Sequence, residues 1–79
     1  MKFYVEEITI LKDGTNPIAL TEKASENEAR ASFHQAMASA IINEDVVSIH
    51  VEAKNNLGGI YEEGTWVRPV ESVESVEAK

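Results

Sequence analysis

A helix start is written into Ser25-Glu26-Asn27-Glu28. In such a capping box the Ser hydroxyl accepts from the amide three residues on, the Glu carboxylate reaches back toward the cap, and acids in the first turn are favoured by the helix dipole. Downstream, Ala29, Phe33, Ala36, Met37, Ala40 and Ile41 recur at the spacing of one helical face, among further Ala residues of high helix propensity. The pattern predicts an amphipathic helix from about Glu26 to Ile42. It should stop at Asn43, a residue that tolerates the left-handed conformation. A single helix with one apolar stripe must be covered by what flanks it.

The flanks read as strands. Lys2 to Leu11 is rich in β-branched and aromatic residues, but its apolar phase changes: Phe3 and Val5 are odd, Ile8 and Ile10 even. A β-bulge near Glu6-Glu7 would reconcile the two halves. Lys12 to Pro17 concentrates turn formers around Asp13-Gly14 and predicts a hairpin loop, after which Ile18 to Thr21 forms a short second strand opened by Pro17. Val47, Ile49, Val51 and Ala53 alternate with Ser48, His50, Glu52 and Lys54, the cleanest period-two pattern in the chain. Asn55 to Gly59 is a loop by composition, and Ile60 to Arg68 reads as a fourth strand, bent at Gly64 and ended by Pro69.

The expected class is therefore α+β, with element order β-β-α-β-β in one domain over residues 1–69. The economical arrangement is a four-stranded mixed sheet with the helix on one face and the first and fourth strands central and parallel, order 2-1-4-3, which is β-grasp-like. The segment 70–79, with Val70, Val73 and Val76 interleaved with Glu and Ser, is expected to be a disordered acidic tail.

Composition removes whole classes of function. There is no Cys among 79 residues, so disulfides, thiolate nucleophiles and cysteine metal ligands are all out of reach. Fourteen Asp and Glu against seven Lys and Arg give a net charge of −7, a repulsive background for DNA, RNA and anionic lipid. The longest apolar run, Ala36 to Ile42, is interrupted by Ser39 and falls short of the roughly 20 residues that span a bilayer. Met1 to Val5 runs straight into Glu6-Glu7, which is no secretory leader. A cytoplasmic protein that touches neither nucleic acid nor membrane is expected.

Residues that could carry chemistry do not converge. His34 lies beside the helix's core stripe, whereas His50 falls on the polar face of the third strand, pointing away from the helix. No shared metal site is expected. Glu6-Glu7 and Glu62-Glu63 would face each other across central strands, but neighbouring residues point to opposite faces, so each pair offers one carboxylate per face. Ser32, Ser39 and Ser48 lack a nucleophile-elbow context, and no phosphate-binding glycine loop precedes the helix. We expect no catalytic residue, no cofactor and no metal ligand set. One helix covers one face of a sheet, so the other face is open to solvent or to a partner, and Tyr4, Val46, Tyr61 and Val67 are the candidates for it. Ala31 and Ala38 form a flat strip on the back of the helix.

The segments Lys2-Phe3-Tyr4-Val5, Asp13-Gly14, Glu22 to Ala29, Phe33 to Ser39 and Asn56-Leu57-Gly58-Gly59 together resemble small uncharacterised proteins of bacteriophages and mobile elements of Gram-positive bacteria, over most of residues 2–67. The resemblance implies a phage-related context and brings no catalytic or ligand residue.

These readings converge on a small acidic protein-interaction module that engages another protein, or a second copy of itself, through a sheet face or edge. One alternative is a DNA-mimicking inhibitor of a host nucleic-acid-binding protein, which requires its acids in a continuous surface row. A second is a small enzyme or ligand-binding domain, which requires a concave pocket with convergent polar groups.

Overall fold

Strands β1 (Phe3–Leu11) and β2 (Ile18–Lys23), helix α1 (Glu26–Ile42), and strands β3 (Val46–Asn55) and β4 (Ile60–Val67) follow in that order in a computed structural model that describes residues 1–69. The tail expected over 70–79 lies outside the described residues. The single helix packs on one face of one four-stranded sheet, so the α+β class and the β-β-α-β-β order hold.

The strand order does not. It is β2-β1-β3-β4, and every neighbouring pair is antiparallel, in place of the mixed, β-grasp-like order 2-1-4-3. The reason lies in β3, whose Val46, Ile49, Val51 and Ala53 are all buried. A strand with so complete an apolar face is stabilised by a central position beneath the helix, whereas β4, which offers Glu62 and Gly64 on its inner side, serves better as an edge. Helix α1 thus connects β2 to β3, two parallel strands with β1 between them.

The core consists of Val5, Ala29, Phe33, Ala40, Val46, Ile49, Val51 and Ala53, with Phe3, Leu11, Ala36, Met37 and Trp66 packed against it. Five of the six helix positions expected to face inward do so; Ile41 is exposed, because the stripe has rotated off the sheet by the last turn. Phe33 reaches β4 at Gly64, where a Cβ would lie 3.1 Å from its Cζ.

Both ends of α1 are satisfied. Ser25 Oγ accepts from the Glu28 amide at 3.2 Å, while the Glu28 carboxylate takes the amide of Ala24, one residue ahead of the cap, at 3.3 Å. At the other end Asn43 is extended rather than left-handed, with φ −94°. No basic residue occupies the last turn. The cation comes from beyond β4 instead: Arg68 Nη2 donates to the carbonyls of Ala40, Ile41 and Asn43 at 3.3, 3.2 and 2.8 Å, and its Nε to that of Val46 at 2.8 Å. The guanidinium also lies 4.6 Å from the centre of the Trp66 ring. Carbonyls left orphaned by the helix terminus are thereby tied to the edge strand of the sheet.

No bulge falls at Glu6-Glu7; β1 pairs without interruption from Phe3 to Ile10 on β3. The register breaks occur between Ile10 and Leu11 and, on β3–β4, between Ala53 and Lys54. The phase change in the sequence is therefore real in space. Val5 turns toward the helix, and Ile8 and Ile10 turn to the other side of the sheet.

Candidate functional site

Directly opposed residues in an antiparallel pair share a face, so the register defines the open side of the sheet row by row. One row runs Leu20, Glu6, Glu52, Glu63; the next runs Ile18, Ile8, His50, Thr65. A third holds Ile10, Ser48 and Val67, and at the opposite end Glu22, Tyr4 and Lys54 align. The face divides accordingly. Its β1–β2 half carries an apolar strip, with Ile18 62% and Leu20 61% exposed beside Ile8 and Ile10, and an ionic cluster runs from Glu6 across β3 to β4.

The ionic cluster is built around Glu52. Lys54 Nζ contacts Glu6 at 2.6 Å and Glu52 at 3.4 Å, and His50 Nε2 lies 3.1 Å from Glu52 and 3.7 Å from Glu63. The hydrogen bond from His50, and then Lys54, hold the Glu52 carboxyl below its ordinary range. The contact with Glu6, followed by that with Glu52, raises the Lys54 ammonium above its own. His50 Nδ1 lies 2.7 Å from Thr65 Oγ1. The ligand atoms of His50, Glu52 and Glu63 all lie within 4.8 Å of one another.

Of the four residues expected on this face, Tyr4 and Val67 occupy it, Val67 with 63% of its surface exposed. Val46 does not: it is 4% exposed in the core, because the register break beside Leu11 turns it inward. Tyr61 does not either. It is the extra residue of the β4 irregularity, and its ring packs 6.1 Å from that of Phe3 with Arg30 5.6 Å above its centre, on the helix side. Ile8, Ile10, Ile18 and Leu20 are the residues that sequence reasoning missed. Their signal was the even phase of Ile8 and Ile10, continued by Ile18 and Leu20 across the hairpin.

The other candidates stay apart. His34 is an exposed helix residue 3.7 Å from Glu62, on the side of the sheet opposite His50. Glu6 and Glu62 never meet, since β1 and β4 are not neighbours; Glu62 instead pairs with Arg30 at 2.9 Å. Between α1 and β1 lies a cleft of about 410 Å³ whose lining includes Ser32, Gln35 and Ser39, with Glu7 as its one titratable side chain among the described residues. The rest of its polar lining is the hydroxyls of Thr9, Ser32 and Ser39 and the amides of Gln35 and Asn43. Of the four acids of the open face, Glu6, Glu52 and Glu63 form one row, bridged in part by Lys54, and Glu22 lies in the next row beside Tyr4.

Among the described residues no helix is long and apolar enough to cross a membrane. The chain matches no protein-family model, no curated protein and no solved structure.

Proposed function

We propose that this chain is a non-enzymatic interaction module that docks another protein on the open face of its sheet. One observation carries the reading: Ile8, Ile10, Ile18 and Leu20 lie side by side on two neighbouring strands, with Ile10, Ile18 and Leu20 exposed. Adjacent apolar side chains left on a face that the helix does not cover are the mark of a docking surface.

Charge selects the occupant. The strip borders Glu6, Glu52 and Glu63, and residues 1–69 carry eleven acids against six bases. The complementary surface is an apolar patch rimmed by Lys and Arg on a different protein. A second copy presents the same acids and is repelled over about a Debye length, 10 Å at 0.1 M salt. On the sequence resemblance alone, we place this activity in a phage or mobile-element setting inside a bacterial cytoplasm.

The test is affinity capture by the wild-type chain and by an Ile18→Gln, Leu20→Gln double variant. Gln removes the apolar surface and leaves the net charge unchanged, so a loss of capture reports apolar docking rather than charge repulsion from a Lys- and Arg-rimmed partner. The reading expects a protein held by the wild type and released by the variant; equal capture by both overturns it. Sedimentation of the isolated chain identifies self-association, with a monomer of 8.7 kDa expected at about 0.1 M salt and below, where the repulsion between copies is least screened.

A further inference from the structure

In the ionic cluster of the open face, three side chains that can ligate a metal are held by strand pairing rather than by loops. His50 and Glu52 alternate along β3 and therefore share a face, and Glu63 is the cross-strand partner of Glu52. His50 Nε2 is 3.1 Å from Glu52 Oε2 and 3.7 Å from Glu63 Oε2. Nitrogen and oxygen donors bound at about 2.0–2.2 Å from one ion lie about 3–3.5 Å apart when adjacent around it, close to the two His50 distances, and the whole set lies within 4.8 Å.

A fourth residue orients the imidazole. Thr65 is the cross-strand partner of His50, and its Oγ1 lies 2.7 Å from Nδ1. In the free chain Nε2 donates to Glu52; once an ion takes the place of that proton, Nδ1–H can donate to the Thr65 hydroxyl, which holds the ring with the Nε2 lone pair toward the ion. This is the outer-sphere contact that metal-binding histidines use. Charge favours the same occupant. Glu6, Glu52 and Glu63 form a row in which Lys54 bridges the first two, and Glu63 has no contact to a Lys or Arg among the described residues.

We propose that His50, Glu52 and Glu63 bind a divalent first-row transition ion of the Zn²⁺ type, with water completing its coordination. An imidazole beside two carboxylates suits such an ion and discriminates against Mg²⁺ and Ca²⁺, which prefer oxygen donors alone. The proposal does not rest on the docking reading, because the isolated chain is enough to test it.

The experiment is a titration of the full 79-residue chain with ZnCl₂, followed by calorimetry and by the His side-chain nitrogen and backbone amide resonances. The expected result is saturable one-to-one binding, with the largest changes at His50 Nε2 and at the amides of Glu52 and Glu63. The same concentration of MgCl₂ should leave these resonances unmoved. His50→Ala and Glu63→Gln should each weaken binding about tenfold or more, whereas His34→Ala should leave it unchanged. Both sites are solvent-accessible, and a circular dichroism spectrum confirms that each variant is folded. The proposal is overturned by the absence of saturable binding up to about 1 mM ZnCl₂. Binding that survives both His50→Ala and Glu63→Gln, or that His34→Ala weakens as much, overturns it too.

Discussion

Gly64 lies beneath the ring of Phe33, with room for the aromatic edge because no side chain stands there: a Cβ would meet Phe33 Cζ at 3.1 Å and Met37 Cε at 3.6 Å. The close approach of α1 to β4 depends on that glycine. Gly64→Val should therefore destabilise the domain by about 1–3 kcal/mol through overpacking. Phe33→Ala, which empties the same contact, should cost about 3–5 kcal/mol. Denaturant unfolding of the two single variants and the double variant checks the coupling. The double variant should be less destabilised than the sum of the singles, and strict additivity would remove the contact from the account.

Arg68 closes the C-terminal end of the helix from outside it. Arg68→Ala should lower the melting temperature by several degrees, because four carbonyl contacts go with it at a helix end that has no other base. Arg68→Lys should recover less than half of the loss, since one ammonium cannot reproduce the guanidinium fork over Val46, Ile41 and Asn43. Thermal unfolding of both variants measures this, and full rescue by Lys would reduce the effect to charge alone.

At the other end, Ser25→Ala should cost on the order of 1 kcal/mol, because the Glu28 amide loses the acceptor that starts the helix. An unchanged melting curve would show that the carboxylate of Glu28, bonded to Ala24, suffices on its own.

The β1–β2 turn carries a pH-dependent contact. Asp13 accepts from the Thr15 hydroxyl at 2.7 Å and from its amide at 2.9 Å, and these bonds, the hydroxyl's first, hold the carboxyl below its usual range. A depressed folded-state value means that the contact stabilises the turn above the ordinary carboxylate pKa, and that this stabilisation is lost as pH falls through the lowered one. The Asp13 carboxyl carbon should titrate below an unperturbed aspartate, and Thr15→Val should move its midpoint back up. A midpoint unaffected by Thr15→Val would dismiss the hydroxyl as the main cause.

How far the sequence could be read is clearest at particular residues. The Ser25–Glu28 box located the helix start, and the period-two run from Val47 to Ala53 located β3, because both signals are local. Strand order is not local: it depends on which strand has the most apolar surface to bury, and β3 outranks β4 only once Glu62 and Gly64 are weighed against Val46, Ile49, Val51 and Ala53. The open face suffered from an assumption of a single buried side. Under it, Ile8 and Ile10 demanded a bulge, when the uninterrupted register shows a strand with apolar residues on both faces. His50 and Glu52 were visible as alternate residues, but Glu63 joins them only through the β3–β4 register, which no spacing along the chain reveals.

Site-specific photocrosslinking in cells tests the docking claim most directly, with a photoreactive phenylalanine at Ile10 on the open face or at Ala38 on the exposed back of the helix. The account predicts a defined heterologous adduct from position 10, absent when Ile18→Gln and Leu20→Gln are added, and none from position 38. Adducts from position 38 alone, or from neither position, would contradict an interaction surface on the open face of the sheet.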